Sequence, residues 1–344
     1  MSGERMRALV FRRYGGPEVL ESTDVEPPVA GDGQILVRVR AVGLNPYDLH
    51  FLHGDPYVAR PMMGLGLRKP RRPVILGSDV AGVVEAVGPN VTGFRVGDEV
   101  FGTVGLGGLA DLVAVSAGAV APKPTNIGFE QAAALPMAAL TALQGLRDVG
   151  GLRSGQRVIV NGAAGGVGSF AVQLAKALGA SSVTGVCSAA SSEMVRSLGA
   201  DEVIDYERED FTKQGRRYDL LIDTAGNRSL RSLCRALEPS GTLVLVGAGG
   251  GRLLGPMAQI LGARLQSRFL GPRILTMFVQ PKTEDLLFIK HLVEQGKLRP
   301  AVDRSYPLAQ AADALRHLET RHAHGKVVVA MTGVADVPLV WKTA

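Results

Sequence analysis

At 344 residues the chain is long for one hydrophobic core and suits two domains, and with 46% hydrophobic residues and 44 glycines it is a turn-rich globular protein, not a disordered one. Its two cysteines, Cys187 and Cys234, exclude a disulfide framework and a four-cysteine zinc site. The net charge of +6 would permit nucleic acid, but it is scattered apart from Arg68, Lys69, Arg71 and Arg72, and 5% aromatic content leaves little for base stacking. The charge reads as solvation plus help for an anionic cofactor, and no nucleic acid partner is expected. No apolar run approaches the roughly 20 residues of a membrane span and the N-terminus carries no apolar targeting region, so the expectation is a cytoplasmic protein with no membrane partner.

Short alternating runs at 7–11, 35–44, 79–88, 98–104 and 109–116, punctuated by glycine and proline, predict an all-β unit, a partly closed barrel. Polar residues gather where the second run ends: Asn45, Tyr47, Asp48, His50, His53 and Tyr57. They read equally as catalytic groups or as a capped helix start, because Asn45-Pro46-Tyr47-Asp48 is also an N-terminal helix signal. From 124 to 152 the composition turns helical, with one helix over 129–133 and another over 136–149, a hinge between two domains.

The segment 157–179, RVIVNGAAGGVGSFAVQLAKALG, organises the rest. A β-branched run leads into Gly162, Gly165, Gly166 and Gly168, and an apolar stripe of helical period follows through Phe170, Val172, Leu174, Ala175 and Leu178. Strand, glycine turn and helix in that order suit a dinucleotide. Glycine lets the backbone approach a pyrophosphate, and the helix start aims N–H groups at it. The plain alternative is a turn in an unrelated α/β protein.

Strands at 183–187, 202–206, 218–225 and 242–247, with a helix over 228–237, predict a parallel doubly wound sheet with its cofactor over the strand C-terminal ends. An NAD enzyme would place an acid at the end of the second of these strands, yet the chain reads Cys187-Ser188-Ala189-Ala190. Further on, a strand is expected at 265–270, a helix at 283–295, a strand at 301–306, a helix at 308–322 and a last strand at 327–331 that returns to the first unit. His317, His322 and His324 read as surface helix residues without an acid partner.

In these segments the chain resembles the medium-chain dehydrogenase/reductases, in their zinc-free quinone oxidoreductase and enone reductase branch. The matching pieces are AVGLNPYDLH, GSDVAGVVEAVG, VGDEVFG, AAALPMAALTALQGL, VNGAAGGVG, GADEVIDY and HGKVVV, in the family's order along nearly the whole chain. The resemblance implies a GroES-like β-barrel domain over 1–125, completed by 300–344, and a Rossmann domain over 126–299. It also implies a homodimer, in which the 265–270 strand pairs with its copy.

The zinc alcohol dehydrogenases of the superfamily carry a cysteine ligand and a histidine where this chain has Asn45 and Ser78, so the resemblance implies no catalytic zinc. Hydride transfer without a Lewis acid suits an activated double bond or a quinone. Asn45, Tyr47 and His50 are the candidates to stabilise or protonate the developing enolate, His50 first because the matching position relays protons in the zinc enzymes. The resemblance also implies a set of cofactor contacts. Ala164, Gly165, Gly166 and Val167 lie at the pyrophosphate; Ser188, Tyr206, Thr224, Ala225 and Gly226 at the adenosine; Thr141, Val246 and Gly247 near the nicotinamide; and Lys326 beside them. Thr141 reads equally as a satisfied helix hydroxyl, and Gly226 and Gly247 also as turn residues. Tyr57, Met277 and Phe278 border the substrate cleft. Family members often carry an arginine for a 2′-phosphate where this chain has Ala190, so NADPH is expected over NADH on Ser188 and the missing acid. The rival readings are a carbonyl or alcohol oxidoreductase on the same scaffold, and a non-redox descendant, either cyclase-like or nucleic-acid-binding.

Overall fold

The computed structural model describes residues 5–55, 57, 60, 66–246 and 271–331. The first unit is built from β1 (Met6–Phe11), β2 (Glu21–Val25), β3 (Gln34–Leu44), α1 (Pro46–His53), β4 (Val74–Ile75), β5 (Asp79–Val87), β6 (Glu99–Thr103), β7 (Leu112–Ser116) and β8 (Val120–Pro122). The expected strands are present. β2, β4 and β8 were not legible, since ESTDV is polar and half-exposed and the other two are only 2 and 3 residues long.

β3 is the spine of this unit. Its 11 residues pair with β5 along most of their length and with β7 at their beginning. Ile35, Val37, Val39 and Leu44 are buried from it against Leu52, Val80, Val100 and Val120. Such a core gains about 1.5–3 kcal/mol for each large aliphatic side chain withdrawn from water.

Next come α2 (Phe129–Ala133) and α3 (Pro136–Gln144), whose last turn widens into a π turn over Gly145–Val149, with the Gly150 N–H donating to Gly145 O at 2.9 Å. The second unit follows as β9 (Arg157–Asn161), α4 (Gly166–Ala177), β10 (Ser182–Cys187), α5 (Ser192–Ser197), β11 (Glu202–Asp205), β12 (Tyr218–Asp223), α6 (Leu230–Arg235), β13 (Leu237–Val246) and β14 (Arg273–Met277). All pairs in this six-stranded sheet are parallel, in the order β11-β10-β9-β12-β13-β14. The strand order therefore reverses at β9, where β10 lies on one side and β12 on the other. In an open parallel sheet that is where a ligand crevice forms. One face packs on α3 and α4 through Val158, Val160, Phe170 and Leu174, and the other buries Ile159, Leu221 and Leu243.

The sixth strand of the sheet is Arg273–Met277; the strand expected at 265–270, and with it the dimer contact, lies outside the described residues, as does Gly247. After the helix Thr283–Glu294, β15 (Val302–Pro307) and β16 (Lys326–Ala330) join the first unit's sheet, β16 antiparallel to the end of β3. The helix between them, Ala311–Glu319, is shorter than expected, and the chain leaves it through Arg321 at φ 57°. His322 and His324 therefore lie beyond the helix. His317 corrects the expectation differently, for its ring meets Asp303 Oδ2 at 3.0 Å and the Tyr306 hydroxyl at 2.9 Å. No helix among the described residues is long and apolar enough to cross a membrane.

Candidate active site

β3 delivers the chain to Asn45, the residue that opens α1, with Pro46 at the first helical position where its missing N–H costs nothing. The Asp48 carboxylate accepts the Asn45 backbone N–H at 2.8 Å, the return half of a capping box. The Asn45 amide itself turns inward, donating to Ser78 Oγ at 2.9 Å, Asp79 Oδ2 at 2.8 Å and Gly43 O at 3.3 Å. Its Oδ1 accepts from the Lys326 ammonium, which also donates to Leu44 O at 2.8 Å and stands 3.7 Å from Asp79 Oδ2.

Asp48 Oδ1 accepts the Gly77 N–H at 2.9 Å and its Oδ2 the Ser78 hydroxyl at 3.1 Å. Both Asp79 oxygens lie 3.1 Å from the Met137 N–H in the first turn of α3, which ties the cluster to the second unit. All five side chains are buried. Buried charge survives only when paired and hydrogen-bonded, and this network meets that condition.

Burial pushes the Asp48 carboxyl up to about 6, against the pull of the Asn45 and Gly77 N–H groups. It raises Asp79, with Lys326 opposing, and lowers Lys326, with Asp79 opposing. Asn45, expected as a donor to substrate, thus has its amide engaged inside the protein. The other two candidates lie further along α1. Tyr47 is 38% exposed, its ring centroid 4.8 Å from that of Phe51, and burial, then Asp48, raises its hydroxyl. His50 follows three residues on, so both lie on one helix face. Burial lowers the His50 imidazole, more than Asp55 raises it.

Tyr57 lies apart from the cluster, 44% exposed, with the Arg60 guanidinium 4.3 Å from its ring centroid. Of the remaining cleft candidates, Phe278 is 67% exposed, whereas Met277 is packed inside, where a side chain on Gly145 would meet its sulfur at 3.1 Å. Val246, opposite Met277 in the register, and buried Thr141 on α3 lie close to the same spot or line the same helix.

At the switch point β9 ends in Asn161, and Gly162 turns the chain at φ 85°. A Cβ on Gly168 would fall 2.0 Å from Gly162 O, so the helix reaches this strand only with glycine there. Above Gly165 the space is open, a Cβ there meeting nothing nearer than Gly162 O at 3.5 Å. The first intrahelical bond of α4 runs from Ser169 to Gly165 O at 2.9 Å, leaving Gly166, Val167 and Gly168 N–H groups without a helical partner. Ala164 leads into that turn.

Across the crevice the Thr224 hydroxyl donates to Asn161 O at 2.8 Å, followed by Ala225 and Gly226, the latter at φ 62° with nothing within 4 Å of a Cβ. Asn161 Nδ2 donates to Asp223 Oδ1 at 2.8 Å. At the end of β10 the Tyr206 N–H donates to Cys187 O at 3.1 Å, and Ser188 Oγ lies 3.2 Å from Ser191 Oγ. Open glycine backbone and helix N–H groups without a helical partner fit a dinucleotide pyrophosphate, and Gly165, Gly166, Val167 and Ser188 are the residues that would hold a nicotinamide dinucleotide there.

Lys326, expected at the cofactor, touches both places: its stem lies 3.0 Å from where a Cβ on Gly166 would stand, while its ammonium points into the polar cluster. Sequence reasoning missed Asp79, Asn161 and Asp223 as site residues. For Asp79 the available signal was a charged residue opening an apolar run, DVAGVV; Asn161 and Asp223, which end β9 and β12, carried none. Among the described residues no group of three histidine, cysteine or carboxylate side chains is placed to hold a metal ion.

Comparison with known proteins agrees with this geometry. Residues 31–125 match the family model described as alcohol dehydrogenase GroES-like domain, and 198–329 the one described as zinc-binding dehydrogenase. A chloroplast envelope quinone oxidoreductase homolog of Arabidopsis thaliana is 34% identical, over 96% of this chain and 99% of that one. A 2-methylene-furan-3-one reductase of Solanum lycopersicum is 34% identical, over 94% of this chain and 79% of that one. The solved quinone oxidoreductase of Coxiella burnetii superposes with a TM-score of 0.84 at 30% identity, covering 96% of this chain and all (100%) of that one. A GroES-like β domain and a Rossmann sheet joined in this order, with relatives of this identity along nearly the whole of this chain, place the chain in the medium-chain dehydrogenase/reductase superfamily, in its quinone oxidoreductase-like branch.

Proposed function

We propose that the protein is a zinc-independent NAD(P)H oxidoreductase that reduces a carbon–carbon double bond conjugated to a carbonyl, or a quinone, with NADPH preferred. The observation that carries this reading is the Asn45–Ser78–Lys326 arrangement. Where zinc dehydrogenases of the superfamily present ligands, this chain presents an amide and a hydroxyl bonded to each other at 2.9 Å, with a lysine ammonium bonded to that amide. Neither is a good zinc ligand, and a fixed cation beside them disfavours a second one.

The bound cofactor supplies hydride. The chain's residues would hold it at the glycine turn, and donors on one face of α1, Tyr47 and His50, would stabilise the oxygen on which charge develops, the proton then passing to the α-carbon of the enolate or, for a quinone, to that oxygen. Asn45 is then a positioning residue that joins α1 to the buried lysine. The names of the Arabidopsis and Solanum relatives, a quinone oxidoreductase homolog and a 2-methylene-furan-3-one reductase, the latter naming a ketone with a conjugated methylene, support the same two substrate classes.

The test is NADPH and NADH oxidation by the purified protein across quinones, enones and enals, with product identification and metal analysis of the same sample. A saturated ketone or a hydroquinone is expected, without stoichiometric zinc. An allylic alcohol as product would favour the carbonyl oxidoreductase reading, and zinc whose removal abolishes turnover would overturn the mechanism.

A further inference from the structure

The stretch His324-Gly325-Lys326 runs past the expected dinucleotide site from one end to the other. Its Gly325 forms a parallel β-bridge with Gly165 of the glycine turn, and the Lys326 stem flanks Gly166 before its ammonium enters the polar cluster. Gly325 stands at φ 108°, and a Cβ there would fall 2.2 Å from Ala301 O. That position accepts glycine alone, so the segment is held in register.

His324 is consequently fixed at the far end of the crevice. Its Nδ1 lies 2.9 Å from Ser191 Oγ, which lies 3.2 Å from Ser188 Oγ, so a chain of hydrogen bonds links this histidine to the residue after β10. In a doubly wound sheet that strand end faces the adenosine ribose. The loop Cys187–Ala190 brings no charge of either sign. Arg196 and Asp205 stand near Cys187, and Asp205 is paired with Arg208 at 3.5 Å. The other ring nitrogen carries no hydrogen bond among the described residues, and in the tautomer whose Nδ1 accepts from the Ser191 hydroxyl it is the donor.

We propose that His324 is the residue that selects the cofactor: with the Ser188 hydroxyl it hydrogen-bonds the 2′-phosphate of NADPH, supplying from the C-terminal return the donor that Ala190 does not. This rests on the nicotinamide-dinucleotide reading above. One charge-assisted bond of this kind corresponds to a preference of about tenfold. Ser191 would act by orienting the ring.

The experiment is direct titration of the full-length protein, the His324→Ala variant and the His324→Arg variant with NADPH, NADH, adenosine 2′,5′-bisphosphate and 5′-AMP. Melting temperatures of the three proteins serve as the folding control. The native protein is expected to bind the bisphosphate about tenfold more tightly than 5′-AMP. His324→Ala should bring that ratio to within about twofold while leaving NADH affinity unchanged, and His324→Arg should preserve or raise it. An unchanged ratio in His324→Ala overturns the assignment, as does equal weakening of NADH and NADPH or a native protein without preference. Failure of the native protein to bind either dinucleotide overturns the nicotinamide reading itself, and this assignment with it.

Discussion

Lys326→Met removes the ammonium at the centre of the buried cluster and keeps most of the stem. The side chains of Lys326 and Asp79 are 3% and 0% exposed, and the ammonium donates to Leu44 O at 2.8 Å and to Asn45 Oδ1. Methionine has nearly the same shape, so lost packing contributes little. What remains is a buried carboxylate without its cation and two carbonyl oxygens without their donor. Breaking a buried pair in this way costs about 3–5 kcal/mol. Asp79 keeps the Asn45 amide at 2.8 Å and the Met137 N–H at 3.1 Å, which places the expected loss near the lower end, about 3 kcal/mol.

Urea unfolding of the native and variant proteins, followed by far-UV circular dichroism, measures that loss. The variant Lys326→Met/Asp79→Asn should be less destabilised than the sum of the two single substitutions, by at least about 1 kcal/mol, because the asparagine leaves no stranded charge. A Lys326→Met loss below about 1 kcal/mol, together with additivity in the double variant, would refute the view that this ammonium neutralises the cluster.

His50→Ala is expected to lower kcat by roughly 10²- to 10⁴-fold while NADPH affinity, measured by titration, stays constant; a change confined to KM would make His50 a binding residue. Asp48, held near 6 when folded against an ordinary value of about 3.9 when unfolded, keeps a proton that the unfolded chain has lost. Its stabilising contribution is therefore complete below about pH 4 and falls by about 3 kcal/mol as pH rises through about 6. The difference in unfolding free energy between native protein and Asp48→Asn should show that slope, and a flat difference over this range would contradict it. Sedimentation at micromolar concentration should find a homodimer, and a monomer there would remove that expectation.

The order and type of the main elements were legible in the residues because each depends on local periodicity. Alternation marks β1, β3 and β5 through β7, and the run from Arg157 into the stripe after Gly168 marks strand, turn and helix without help from the rest of the chain. The glycine turn could be read as a candidate dinucleotide motif for the same reason, since its geometry lies within about a dozen consecutive residues. The buried polar cluster could not, because its members are distant in sequence: Asn45 meets Ser78 and Asp79 across 33 and 34 positions and Lys326 across 281. Only closure of the sheet, with β16 laid antiparallel against the end of β3, brings that lysine beneath the asparagine. His324 was read as a surface helix residue because its partner, Ser191, is 133 positions away and on the other unit. Local pattern determines which residues form strands and helices; which buried charges neutralise one another is decided by the packing that removes them from water, and a buried charge has no stable place until its partner arrives.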